Sequence, residues 1–287
     1  MATVSRNETA VTGDPYARDL AGTRAVVTGG TRGIGAAIAG TLGRRGAEVL
    51  ISARNQAADL PEGVRLVVAD AATPEGAERV AAEAHKVLGE VGVLVNNAGG
   101  STPVPGGISS MADEQWQAAI AANLLSAVRL DRLLIPGMRA RRRGAIVHIS
   151  SSSARQPAGQ IAHYAAAKAA LTNNAKALAL ELAPDALRVN TVSPGMTMTS
   201  AVQDALGMMA KAQGVDVEIA KQALIGQMGG IPLAGPATQP RSRSLLRSWC
   251  RTALPGSLEV TSPSTAVCGR RSELMATVAG RATARPA

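Results

Sequence analysis

Phenylalanine is absent from this chain, and only two tyrosines and two tryptophans stand among its 287 residues. A core has to be built from Ala, Val, Leu and Ile, and with 46% apolar residues there is ample material for one. Aromatic platforms for stacking bases are missing, so the net charge of +9 does not suggest a nucleic-acid groove. Both cysteines, Cys250 and Cys268, lie near the end of the chain, 18 apart, which is no zinc or redox spacing, and no metal site is expected. No uninterrupted apolar run reaches the ~18 residues of a membrane span. The N-terminal MATVSRNETAVTGDPYARDL contains no apolar segment of the signal-peptide kind. The expectation is a soluble, cytoplasmic protein with neither membrane nor nucleic-acid partner, opening with a flexible arm over residues 1–20.

Lysine is scarce too: five, against twenty-five arginines. The basic charge is also unevenly placed. From Gln239 to Ala287 eight arginines face two glutamates, whereas the preceding 238 residues hold 22 basic and 19 acidic side chains. This shift marks a boundary near residue 235. The reading is a single domain over residues 21–233, followed by a basic, poorly ordered tail over 234–287.

Within the domain, short apolar runs alternate with helical patterns. Strands are expected at Thr23–Thr28, Glu48–Ser52, Val64–Ala69, Val91–Val95, Ala145–Ile149 and Arg188–Val192. Helices are expected at Ala36–Arg45, Glu75–Leu88, about Asp113–Arg139 and about 161–182. Strands with little polar alternation, separated by helices, imply a parallel sheet covered on both faces. The fold class is α/β, a doubly wound nucleotide-binding (Rossmann) fold.

Two stretches suggest chemistry. TGGTRGIG, Thr28 to Gly35, follows the first strand and opens the first helix. Glycines there permit a tight turn and a close backbone approach to a pyrophosphate at the helix N-terminus. YAAAK, Tyr164 to Lys168, puts a rare phenol and a rare ammonium one helical turn apart on one face. Spacing alone leaves a solvated surface pair as the plain alternative.

Taken in order, TGGTRGIG, NNAG at Asn96 to Gly99, ISS at Ile149 to Ser151, YAAAK and SPG at Ser193 to Gly195 resemble the short-chain dehydrogenase/reductase family. The spacing agrees, including the thirteen residues from Ser151 to Tyr164, and the resemblance covers about residues 21 to 233. It implies an NADP(H)- or NAD(H)-dependent oxidoreductase acting on a ketone or secondary alcohol. Tyr164 would be the general acid/base, Ser151 a donor to the substrate oxygen, and Lys168 a holder of the cofactor ribose. Asn123 matches the family asparagine whose backbone places a water near the lysine. An unperturbed phenol is a poor base at neutral pH, so the Lys168 ammonium and an oxidised nicotinamide are expected to lower it. A shift of ~3 units takes ~4 kcal/mol of differential stabilisation. His148 reads as a core histidine, and His163 as a possible border of the pocket.

The resemblance also implies the cofactor's neighbours: Gly29, Thr31, Arg32, Gly33, Ile34 and Gly35 of the turn, Asp70 and Ala71 at the adenine, and Asn96, Ala98 and Gly99 beside the ribose. Tyr164, Lys168, Pro194, Gly195 and Thr199 would flank the nicotinamide end. The second strand ends VLISARN, with Ala53 and Arg54 where an NAD site would place a carboxylate. Arg32 and Arg54 suit a 2′-phosphate dianion, which favours NADP(H). A catalytically impaired nucleotide-binding protein of the same fold is the alternative.

Residues 196 to 230 would form a flap whose Met196, Met198, Met208, Met209 and Met228 suit a small apolar carbonyl or alcohol substrate. A homotetramer or dimer is what the family implies. The family's usual ending, a helix, a strand and a glycine pair, is not visible in this tail. Reading across codon boundaries restores parts of it: Gly256 to Val260 can yield ITGG, and Pro263 to Val267 can yield VDGG. The chain is therefore expected to leave its ancestral frame near Leu233 or Ala234, and to lack the regular last helix and strand. A lineage-specific basic tail is the alternative.

Overall fold

The protein is represented by a computed structural model that describes residues 18–61, 63–227 and the backbone of 259–261. Six strands run through the domain: β1 Arg24–Thr28, β2 Glu48–Ala53, β3 Val64–Val68, β4 Val93–Asn96, β5 Gly144–Ile149 and β6 Leu187–Ser193. A three-residue β7, Glu259–Thr261, completes the edge. All neighbours are parallel, in the order β3-β2-β1-β4-β5-β6-β7. The helices are α1 Gly33–Arg44, α2 Pro74–Leu88, α3 Asp113–Ile120, α4 Ser126–Ala140, α5 Ala162–Leu182, α6 Ser200–Gln213 and α7 Val217–Gln227.

Alternation along the buried strands sends side chains to two separate cores. Val26, Leu50, Leu94, Ile146 and Val189 pack with α2, α4 and α5, for example on Val80, Leu134 and Leu182. Val27, Ile51, Val95, Val147 and Ile149 pack with α1, through Ile38 and Leu42. The largest fully buried side chains are Leu, Ile and Met, joined only by His148, as the near-absence of aromatics requires. Each buried aliphatic side chain contributes about 1.5–3 kcal/mol. Thr73 starts α2 by accepting a hydrogen bond from the Gly76 amide at 3.0 Å, with Pro74 in the first turn.

The sheet changes direction between β1 and β4, so the loops leaving these strands diverge and open a crevice at their C-terminal ends. The glycine turn and the NNAG segment both lie there.

Two findings differ from the sequence expectation. The long helix over Asp113–Arg139 is interrupted by a π-helical turn at Ala121–Leu125. Within it, Asn123 Nδ2 donates to the Ala119 carbonyl at 3.0 Å, the acceptor that a regular helix reserves for a backbone amide. The second difference is at the β6 edge, expected to lack its last strand. There β7 pairs with Thr191 to Ser193. An unpaired strand edge is satisfied by any extended backbone, whatever side chains it bears. The rest of the 234–287 tail, the frame shift inferred for it and the 1–17 part of the arm lie outside the described residues. Among the described residues no helix is long and apolar enough to cross a membrane.

Candidate active site

The glycine turn is as tight as its sequence implies. Gly29 and Gly33 have φ of +64° and +58°. A Cβ on Gly35 would lie 2.1 Å from the Gly29 carbonyl oxygen, so no other residue fits there. Arg32, at the N-cap of α1, makes no side-chain cap, which leaves the first amides of the helix without a side-chain acceptor. A pyrophosphate is the group such a helix start fits.

NNAG braces this turn through the second of its two asparagines. Asn96 is buried, and its Nδ2 donates to Asp131 Oδ1 at 2.8 Å on the α4 face. Successive side chains of a strand face opposite ways, so Asn97 takes the crevice side. Asn97 Nδ2 donates to the carbonyls of Thr28 and Gly29 at 2.9 and 3.1 Å. Thr28 Oγ1 in turn accepts from the Asn97 and Ala98 amides at 2.9 and 2.8 Å. The brace is thus the work of Asn97 and Thr28, neither of which was among the cofactor neighbours expected from the sequence. Strand periodicity, applied to NNAG, was the available signal.

Gly99 brings this loop against the catalytic candidates. A Cβ there would meet Asn123 Oδ1 at 2.4 Å and Lys168 Nζ at 3.3 Å. Asn123 holds Gly100 from both sides, accepting from its amide and donating to its carbonyl, each at 3.0 Å. The π turn, the NNAG loop and Lys168 therefore meet at one point.

Tyr164 and Lys168 sit on the first turns of α5, beside the end of β5. Lys168 is 3% exposed, and its ammonium donates to the Ile149 carbonyl at 2.7 Å. It stands 5.9 Å from the centroid of the Tyr164 ring. Burial lowers Lys168 from its ordinary value to about 8. Tyr164 is hydrogen-bonded to Ser151, whose Oγ also accepts from the Ser153 amide at 3.1 Å. In the protein alone burial raises the Tyr164 pKa and the Ser151 hydrogen bond opposes it; the lowering expected from the sequence calls on the charge of an oxidised nicotinamide as well as on Lys168. Ser150, next to Ser151, is turned the other way and ties β5 to α5, donating to the Lys168 carbonyl at 3.0 Å.

The remaining candidates surround the crevice. Arg32 and Arg54 are both exposed at its rim. Asp70 Oδ1 accepts from the Ala72 amide at 3.0 Å, and Arg129 reaches from α4 to the Ala72 carbonyl at 2.6 Å, fixing the loop that carries Ala71. Pro194 accepts from the Ser152 amide at 2.9 Å, linking the SPG turn to the serine loop, with Gly195 next in the chain. Thr199 caps α6 through the Val202 amide at 3.3 Å, and its methyl would lie 3.3 Å from a Cβ on Gly33. Thr31 and Ile34 are half-buried in the turn. Met228 lies outside the described residues; of the described flap methionines Met196 is buried but Met208 is 68% exposed, so these do not form one apolar lining. His148 is in the core, as expected. His163 is buried against Trp116, edge to face at 6.3 Å between centroids.

A family model described as short chain dehydrogenase matches residues 23–209. D-beta-hydroxybutyrate dehydrogenase of Cupriavidus necator is 33% identical over 215 residues, covering 72% of this chain and 83% of that protein. A 3-oxoacyl-acyl-carrier-protein reductase of Escherichia coli is 40% identical over 193 residues, 63% of this chain and 77% of that one. L-sorbose reductase from Gluconobacter frateurii, crystallised with NADPH and L-sorbose, shares the fold with a TM-score of 0.75 and 32% identity. That likeness covers 84% of this chain and 95% of the reductase. The chain belongs to the short-chain dehydrogenase/reductase family of oxidoreductases.

Proposed function

We propose that this protein transfers a hydride between NADP(H) and a ketone or secondary alcohol, with Tyr164 as general acid/base and residues 21–233 as the catalytic unit. One observation carries the reading. Tyr164, hydrogen-bonded to Ser151, lies beside an ammonium fixed on the Ile149 carbonyl, at the crevice end of the sheet. When bound, the nicotinamide supplies or accepts the hydride.

The protein's own groups manage the proton and the charge. In reduction, the Tyr164 phenol, kept protonated by its burial, donates a proton to the substrate oxygen as charge builds there. Ser151 donates a hydrogen bond to the same oxygen. Of the three N–H groups of Lys168, one is used on Ile149, and the others are free to hold ribose hydroxyls. Asn123 locks the NNAG loop against Lys168 and so sets the depth of the crevice. In oxidation the same phenol must first lose its proton, for which the positive nicotinamide ring and Lys168 supply favourable charge.

Exposed Arg32 and Arg54, with Ala53 at the end of β2 in place of a carboxylate, support NADP(H) over NAD(H). The NADPH bound by the sorbose reductase neighbour is consistent with that choice. The reading is tested by offering a panel of ketones and alcohols and following NADPH absorbance. Turnover of a carbonyl with NADPH supports it. Tight NADPH binding with no turnover across the panel would favour a nucleotide-binding protein without catalysis.

A further inference from the structure

Below the crevice, in the otherwise apolar core between the sheet and α4, lies a buried carboxylate with two partners. Asp131, 4% exposed, accepts from Asn96 Nδ2 at 2.8 Å and bonds to His148 Nε2 at 2.9 Å. His148 is 0% exposed. Asn96 and His148 are registered opposite one another on β4 and β5, so a single side chain of α4 grips the two central strands at one level. The same strands and helix carry Leu94, Ile146, Leu130 and Leu134, fully buried aliphatics of one core.

Such a trio is a poor way to gain stability. A desolvated carboxylate recovers its lost hydration only where geometry and partners are complete, and apolar residues of similar volume are often as stable. Here the pairing is incomplete: among the described residues Asn96 Oδ1 and His148 Nδ1 have no hydrogen-bond partner. What distinguishes the trio is its position. One residue beyond Asn96 is Asn97, which braces the glycine turn through the Thr28 and Gly29 carbonyls. One residue beyond His148 is Ile149, whose carbonyl holds the Lys168 ammonium. The two walls of the cofactor crevice thus leave the sheet directly from the two strand positions that Asp131 pins.

We infer that Asp131 is a positioning residue that fixes the Asn97 turn brace and the Ile149 carbonyl relative to each other, and so sets the shape of the nicotinamide-nucleotide crevice. The inference rests on the proposed function for its ligand, but not for its structural part. Asp131 touches neither the crevice nor the reacting atoms; it acts through Asn96 and His148.

The test uses the full chain, with Asp131→Asn to remove the charge at constant size and His148→Val to cut one arm. Amide hydrogen exchange is followed in peptides covering 97–100 and 149–152, and NADPH affinity is followed by fluorescence titration. The expected result is exchange about ten-fold faster in those two segments alone, with the melting temperature within a few degrees of wild type. NADPH affinity should fall about ten-fold, and His148→Gln, whose amide nitrogen reaches the place of the ring Nε2 and can still donate to Asp131, should restore most of both losses. Unchanged exchange in the two segments, or faster exchange spread evenly over the sheet, overturns the inference. If Asp131→Asn does not fold, His148→Val gives the same readout. If wild-type protein fails to bind NADPH, the functional reading falls, while the exchange pattern still decides whether Asp131 positions the strand ends.

Discussion

The Lys168 ammonium hydrogen-bonds to the Ile149 carbonyl at 2.7 Å, joining the first turns of α5 to the last residue of β5. This bond, rather than direct pairing with the Tyr164 hydroxyl, is what holds the positive charge in place in the free protein. Lys168 is thereby kept at the crevice floor, and the phenol beside it keeps its proton.

Tyr164→Phe removes only the acid. It should abolish NADPH-dependent carbonyl reduction and leave NADPH affinity within about two-fold of wild type, since the hydroxyl is lost but the ring remains. Steady-state kinetics and fluorescence titration measure the two separately. Retention of more than a few per cent of activity would rule out Tyr164 as the proton donor.

Arg54→Ala tests the choice of cofactor. A charge-assisted contact to the 2′-phosphate is worth about 1.5–3 kcal/mol, so NADPH affinity should fall roughly ten- to hundred-fold while NADH affinity changes little. Equal losses for both cofactors would sink the phosphate assignment.

Lys168 gives a pH dependence with a defined sign. Burial lowers it from 10.5 to about 8. Between these values the unfolded chain keeps a proton that the folded chain has released, so stability rises with pH across the window. Below it the buried charge costs on the order of 3 kcal/mol. Lys168→Met removes that cost but leaves the Ile149 carbonyl without its donor. In urea unfolding, wild type should gain roughly 2 kcal/mol on the Met variant between about pH 7 and about pH 9.5. A difference that does not vary with pH would mean that Lys168 titrates at its ordinary value.

The basic tail makes a prediction at the level of the gene. A single-base shift near codon 234 should open a frame that encodes an ITGG and VDGG type of ending. Resequencing checks it, and a gene in which no such shift opens that frame leaves the tail as a lineage-specific extension.

What the sequence determined by itself was the fold and the roster of candidates. Fully buried parallel strands carry continuous apolar runs, and these placed all six strands of the domain to within about two residues. The glycines of TGGTRGIG disclosed a turn that only a missing Cβ permits, as the 2.1 Å approach at Gly35 bears out. Tyr164 and Lys168 shared a face because helical spacing is local. Tertiary structure decided everything that depends on what each side chain meets. It turned Asn96 into the core and Asn97 into the crevice, widened the helix at Asn123, and set Asp131 beneath two strands that lie 35 and 17 residues away in the chain. It also buried Tyr164 so that desolvation raises its pKa in the protein alone, a property of the packed environment that no spacing of residues reports.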